Sequence, residues 1–332
     1  MKILKFNWQA YDPVGGMKYV AGVVIIIALS KIFPDFPWFA TGLSAALAWL
    51  TTTIPGRRGD RILGALIFIV LAAALLGLAH LLSGTHWPWF VAMLMVAFFG
   101  TFIMIKGSRG FMIGWCLICW FYVVPLIGAL DAPGQLLICH LLGSGVVLGL
   151  IALPMLWEKK QIDAEDGSDQ TGATETLPSL GFVLQHSTAV GFVMALGLVL
   201  GDMWLKSDPT MITNASLMIM FPYRQQTVTM AADRMIGAVL GILVGFYLGL
   251  YIQSPILEPL LWIVMSYGVL ALMTVNAGAC AFFFLVIMGA SWGALGYEAG
   301  NSIANERIFA EFVGVSLAGI GVAIRSVFGS DR

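Results

Sequence analysis

The chain has 332 residues, 59% hydrophobic and only 11% charged, with a mean hydropathy of +0.91 and a net charge of −1. A soluble domain carries about a quarter charged residues to cover its surface, so this composition excludes a water-facing globular protein. The balanced charge also excludes the basic field that attracts nucleic acid, and the lipid bilayer is the expected surrounding.

At the N-terminus, polar and aromatic residues lead from Lys5 to Gly16 before the first long apolar run. No small-residue cleavage site follows a short apolar stretch, so the first segment is expected to remain as a helix rather than be removed as a signal peptide. A spanning helix needs roughly 20 mostly apolar residues. Twelve segments are expected, at 17–33, 36–54, 62–82, 87–105, 110–130, 134–157, 182–204, 209–223, 235–252, 257–275, 278–296 and 304–326. Pro34-Asp35-Phe36-Pro37 separates the first two, because two helix breakers and a charge mark a turn. The eighth is short and polar, with Thr210, Thr213, Asn214 and Ser216.

With the N-terminus in the cytoplasm, only Lys31, Lys206 and Arg307 of the 17 lysines and arginines fall outside. That asymmetry satisfies the positive-inside rule and predicts a multi-pass inner-membrane protein with both termini cytoplasmic. Residues 158–180 hold Glu158, Asp163, Glu165, Asp166, Asp169 and Glu175 among Gly, Ser and Thr. They read as a flexible acidic linker between a first six-helix repeat, 1–157, and a second, 181–332.

The two halves share landmarks. Ile54-Pro55, a basic loop and Asp60-Arg61-Ile-Leu-Gly64-Ala65 match Phe221-Pro222, a basic loop and Asp233-Arg234-Met-Ile-Gly237-Ala238. His140-Leu-Leu-Gly143 in the sixth segment stands beside Glu311-Phe-Val-Gly314 in the twelfth. Because each half has an even number of spans, the fold class expected is all-α, with twelve transmembrane helices in two six-helix repeats related by an axis along the membrane normal. Gly237, Gly241, Gly245 and Gly249 recur every four residues in the ninth segment. Such a stripe lets a neighbouring backbone come close where lipid gives no hydrophobic drive; Gly64 stands at the matching place in the first half. A sliding or hinge surface is the alternative use.

The Asp233-Arg234-x-x-Gly237 element after Phe221-Pro222, with Arg307-Ile-Phe-Ala-Glu311-Phe-Val-Gly314 in the last helix, resembles the fusaric acid resistance and aromatic acid exporter superfamily. The first half repeats Asp60-Arg61-x-x-Gly64 but has Gln135 and His140 where the Arg and acid pair would stand. The resemblance implies an exporter of aromatic or amphipathic organic acids, driven by the proton gradient and working with a periplasmic adaptor of the membrane-fusion type. It also implies sizeable cytoplasmic domains, of which only the 158–180 linker and a short tail are present, so this would be a compact member. A relationship to plant anion channels keeps a passive anion channel as one alternative, and a non-transporting subunit of an envelope complex is another.

Ionisable groups inside the membrane cost about 2.5–3.5 kcal/mol on insertion scales and so point to function. Glu311 and His140 are the candidates for proton coupling, since a carboxylic acid among apolar groups keeps its proton more readily and a histidine titrates near neutrality. The plainer roles are an ion pair of Glu311 with Arg307 one turn away and a packing histidine at His140. Arg61 and Arg234, expected at helix starts where amide groups favour anions, are candidates for substrate binding, with Arg307 and Asn214. Against that stand charge placement, lipid headgroups and pairing with Asp60 and Asp233, which can also cap their helices. His186 is expected near the cytoplasmic entrance as an interfacial residue. Trp87 and Trp89 fit an interfacial belt, while Trp115, Trp120 and Phe121 lie deeper, against lipid or an aromatic ligand. Cys116-Leu-Ile-Cys119 lies in an apolar helix and reads as packing. No phosphate loop, zinc-ligand spacing or nucleophile elbow is present, so neither an enzyme nor a bound cofactor or metal is expected. Oligomeric state stays open, a homo-oligomer included.

Overall fold

Backbone polar groups in lipid must be satisfied within the chain, which leaves helices or closed barrels. The computed structural model describes residues 6–8, 11–32, 38–53, 58–82, 85–123, 133–157, 177–206, 208–220, 224–252, 254, 256–273 and 275–328, and they are helical throughout their ordered elements. The helices are α1 Pro13–Ile32, α2 Trp38–Leu50, α3 Arg58–Leu82, α4 His86–Phe102, α5 Ser108–Val123, α6 Pro133–Trp157, α7 Leu180–Trp204, α8 Thr210–Leu217, α9 Arg224–Tyr251, α10 Leu257–Leu272, α11 Ala277–Gly293 and α12 Tyr297–Phe328. A 3-10 turn, Ile103–Lys106, ends α4; Gly107 then takes φ 81, a conformation open to glycine, and α5 begins. Three threonines close α2, as the Thr51, Thr52 and Thr53 hydroxyls donate to the Ala48, Trp49 and Leu50 carbonyls. These bonds add to the amide bonds that the Trp49 and Leu50 carbonyls accept from Thr52 and Thr53 at the helix end.

Among the described residues, six helical segments are long and apolar enough to cross a membrane: Gly59–Leu82, Trp87–Lys106, Gly134–Ala152, Leu180–Trp204, Met230–Tyr251 and Tyr297–Ile324. Gly15–Leu29, Ala40–Leu50, Leu257–Leu272 and Ala277–Gly293 are shorter apolar helices. On α3, Leu63, Leu66, Ile67, Val70, Leu71, Leu78 and Leu81 are exposed, a helical stripe suited to lipid.

The expected elements differ from the observed ones in three places. The eighth, expected over 209–223, is an α8 of 8 residues, all buried; it rises only about 12 Å, well short of a bilayer core. Its polar side chains stay helical by bonding their own backbone, Thr213 to the Thr210 carbonyl and Ser216 to the Ile212 carbonyl. The ninth begins at Arg224 rather than 235, so Asp233 and Arg234 lie in the third turn of a helix of 28 residues and not at its start. The twelfth begins at Tyr297 rather than 304, which puts Arg307 about three turns into a 32-residue helix rather than in its first turn. In both helices the added turns are polar, and an apolar window passes over them. The 34–37 turn, Ile54-Pro55, Phe221-Pro222 and most of the acidic 158–180 stretch lie outside the described residues.

The chain divides into two compact units, Ile25–Thr188 and Met1–Val24 with Ala189–Arg332. In the first unit α2 packs on α6, α3 on α5 and α6, and α4 on α5. In the second α8 packs on α12, α9 on α11 and α12, and α10 on α11. The core of the second unit is Ala238, Ile242, Phe246, Leu285 and Ala304, walled by Leu250, Phe284, Met288, Trp292 and Ile308. Its N-terminal segment lies against α10, where the Tyr11 and Tyr267 hydroxyls share a hydrogen bond.

Candidate functional site

Glycine decides where the helices meet. A Cβ at Gly237, Gly241, Gly245 or Gly249 would strike the backbone of Gly278, Phe282, Val286 or Ala290, so the α9 stripe is the contact with α11. A Cβ at Gly314 would meet Ala215 and the Ile212 carbonyl, so α12 lies directly on α8. In the first unit a Cβ at Gly143 would fall on the Thr41 carbonyl, so α6 lies likewise on α2. Glu311 and His140 each stand three residues before the glycine of that contact.

These close approaches gather charge in the middle of the second unit. The Arg307 Nη2 donates to Glu311 Oε1 at 2.8 Å along α12, the expected i, i+4 pair. From α9, the Arg234 Nη2 reaches the same oxygen at 3.4 Å. Arg307 Nη1 also donates to the Met211 carbonyl of α8 at 3.4 Å. Glu311 is fully buried, and Arg234 and Arg307 are each 8% exposed. The pairing is incomplete: among the described residues Glu311 Oε2, both arginine Nε atoms and Asn214 Oδ1 are buried without a hydrogen-bond partner. Buried polar atoms are nearly always satisfied, so this cluster has capacity for a further polar group.

Two acids flank it, each held by neutral donors. Asp233 accepts from Asn276 Nδ2 at 3.1 Å, and the Asn276 Oδ1 caps α11 through the Ala279 amide. Asp233 thus serves the cap of α11 rather than that of α9, where its third-turn position rules capping out. Asp208, ahead of α8, accepts from the Thr210 amide and hydroxyl at 2.9 Å, and Asn214 Nδ2 donates to that hydroxyl at 3.4 Å. Burial pushes the Asp208 carboxyl up, against the Thr210 bonds and the Arg307 charge. Asp208, Thr210 and Asn276 escape a sequence search for intramembrane charge. A readable signal did exist in Asn276 ahead of Ala-Gly at a helix start, the pattern of an N-cap. Asn276→Ala is expected to remove a cap worth about 1 kcal/mol and a charged hydrogen bond worth about 1.5–3 kcal/mol. Thermal melting of the purified protein should show a drop of several degrees, and Asn276→Asp should not be tolerated as a substitute because it faces Asp233.

His140 lies in the first unit, fully buried. Its Nε2 meets the Ile69 carbonyl at 3.0 Å, and Nδ1 meets Ser44 Oγ at 2.7 Å. A carbonyl only accepts, so Nε2 carries a proton. Ser44 Oγ also lies 2.9 Å from Ser144 Oγ and 3.1 Å from the His140 carbonyl. Trp120 and Phe68 approach the imidazole with ring centroids at 4.9 and 5.7 Å.

Other expected residues fall elsewhere. Arg61 is exposed near the start of α3, and the adjoining Asp60 pairs with Arg109 at 3.2 Å on α5. Hence Arg61 and Arg234, alike in sequence, differ in setting because the first half offers no acid in place of Glu311. Gly64 packs near the Thr51 carbonyl at the end of α2, and Gln135 is exposed. His186 is fully buried and stacked on Phe182. Trp120 and Phe121 are also fully buried, Phe121 stacked on Trp89, so neither faces lipid. Cys116 and Cys119 are buried and not disulfide-bonded, and the described residues contain no cluster of metal-ligating side chains.

Residues 187–321 match the family model described as fusaric acid resistance protein-like. No curated protein and no solved structure matches the chain. The matched segment contains Asp208, Asn214, Arg234, Asn276, Arg307 and Glu311, every member of the buried cluster. Together with the apolar helices, this similarity of residues 187–321 to the fusaric acid resistance protein-like family indicates a multi-pass membrane protein of transporter type.

Proposed function

We propose that the chain exports an aromatic or amphipathic organic acid across the inner membrane in exchange for protons. The observation that carries this reading is the buried Arg234–Glu311–Arg307 cluster, in which two guanidinium groups share one carboxylate oxygen and keep unspent donors. An arginine fork suits a carboxylate, and a buried charge that is only partly paired is expensive as mere scaffolding. Arg234 and Arg307 hold the acid, with Asn214 one turn beyond Met211 on α8, and the exposed Arg61 attracts it. Glu311 and His140 are the two residues able to take the coupling proton. The recurrence of the same helix neighbours in the two units supports a six-plus-six arrangement related by an axis along the membrane normal, with both termini in the cytoplasm. A periplasmic membrane-fusion adaptor would carry the acid onward.

The test is uptake of benzoate and larger aromatic acids by inverted membrane vesicles holding the full chain. Accumulation should require an imposed proton gradient and collapse on adding an uncoupler. Equal flux with and without the gradient would make the protein an anion channel, and no flux of any acid would make it a non-transporting subunit.

A further inference from the structure

In exchange, the proton and the acid must bind in turn. A proton and an organic anion at one buried cluster attract each other, and linkage makes each raise the affinity for the other. A proton placed on Glu311 would therefore promote binding of the acid at Arg234 and Arg307, and the two would move in the same direction. The exchanged proton needs a place apart from the acid, among groups that accept it without bringing in a carboxylate.

We propose that His140, with Ser44 and Ser144, is that proton-holding site, so that the second unit binds the acid and the first carries the proton. This rests on the transport reading above. The hydrogen bonds around His140 can be satisfied in both states. With the ring neutral, the Ser44 hydroxyl donates to Nδ1. With the ring protonated, Nδ1–H donates to Ser44 Oγ, and that hydroxyl turns to donate to Ser144 Oγ or to the His140 carbonyl, both already within 3.1 Å. The Nε2–H bond to Ile69 is the same in both states. The charge that appears is met by the rings of Trp120 and Phe68, and aromatic faces attract cations. The groups that meet the imidazole are Ser44 from α2, Phe68 and Ile69 from α3 and Trp120 from α5, with Ser144 of α6 one hydrogen bond further, and all are neutral. No carboxylate among the described residues would hold the proton permanently, as befits a site that must release it.

Two activities of the full chain in proteoliposomes separate the roles: gradient-driven accumulation of benzoate, and benzoate–benzoate exchange without a gradient, which needs no proton. In His140→Gln, whose amide keeps hydrogen-bonding capacity but cannot titrate, exchange should continue near the parental rate. Accumulation should fall at least about tenfold, the size of a typical coupling. Ser44→Ala leaves the imidazole in place and should move the pH profile of accumulation to lower pH by about one unit, the excess of a hydrogen bond to the charged ring over one to the neutral ring, with exchange unchanged. Parental accumulation in His140→Gln, or an unmoved profile in Ser44→Ala, would overturn the proposal while leaving the transport reading intact. Loss of exchange together with accumulation in both variants would assign His140 to packing and overturn it equally. If the parental protein neither exchanges nor accumulates benzoate or a larger aromatic acid, the transport reading itself fails and the proposal goes with it.

Discussion

Gly245→Leu is expected to destabilise the second unit by about 3 kcal/mol or more, the upper range of overpacking, and to lower the melting temperature by roughly 10 °C. A Cβ at Gly245 would enter the Val286 backbone, and Gly289 and Gly293 of α11 press in turn on the α9 backbone near Ile242 and Phe246. The two helices touch along four successive turns, so there is no flexible side chain to move aside. A leucine must push the helices apart, and the contacts of Ile242, Phe246 and Leu285 in the core are lost with the separation. In lipid that loss is not offset, because packing itself drives helix association there. Gly319→Leu on α12 is the control: nothing lies within 4 Å of a Cβ there, and a helical glycine costs about 1 kcal/mol relative to a good helix former. Gly319→Leu should melt at or above the parental temperature. If Gly245→Leu melts with it, α9 and α11 are not in backbone contact.

Much of this architecture was legible because lipid imposes one rule, that apolar runs become helices, and the order of the helices among the described residues follows from the runs themselves. Boundaries were legible only where apolarity and helicity coincide. At α9 the turns Arg224–Asp233 are rich in Gln, Thr and charge, and at α12 the turns Tyr297–Glu306 are similarly polar. These residues are helical although hydropathy does not register them. The same distinction runs through the site. Arg307 and Glu311 are four apart on one helix, so their pair can be read from spacing. Arg234 joins them only because Gly237 and Gly314 set how deeply α9 and α12 settle against their neighbours, a register that depends on contacts about 40 to 100 residues apart in chain order. The apparent equivalence of Arg61 and Arg234 misled for the same reason, since a shared motif does not supply a shared partner.

Arg307→Leu is expected to cost about 3–5 kcal/mol, the usual effect of removing one partner from a buried ion pair, because Glu311 would then rely on the longer 3.4 Å contact with Arg234. The triple variant Arg234→Met/Arg307→Leu/Glu311→Leu should recover most of that stability, since apolar side chains of similar volume replace buried charges at little net cost. The surroundings suit it: the Gly314 contact with α8 is untouched, while Asp233 and Asp208 keep their donors in Asn276 and Thr210. Melting temperature and benzoate exchange, measured on the same preparations, separate the two uses of the cluster. If the charges exist to hold a carboxylate, the triple variant is as stable as the parent to within about 1 kcal/mol but exchanges no acid. If the triple variant exchanges at the parental rate, the cluster only fixes how α9 and α12 meet, and the acid must be bound by other residues. Arg307→Leu alone cannot settle this, because loss of fold and loss of binding would look the same. Removing the cluster as a neutral set takes away the site without leaving a buried charge behind, so any lost exchange belongs to binding.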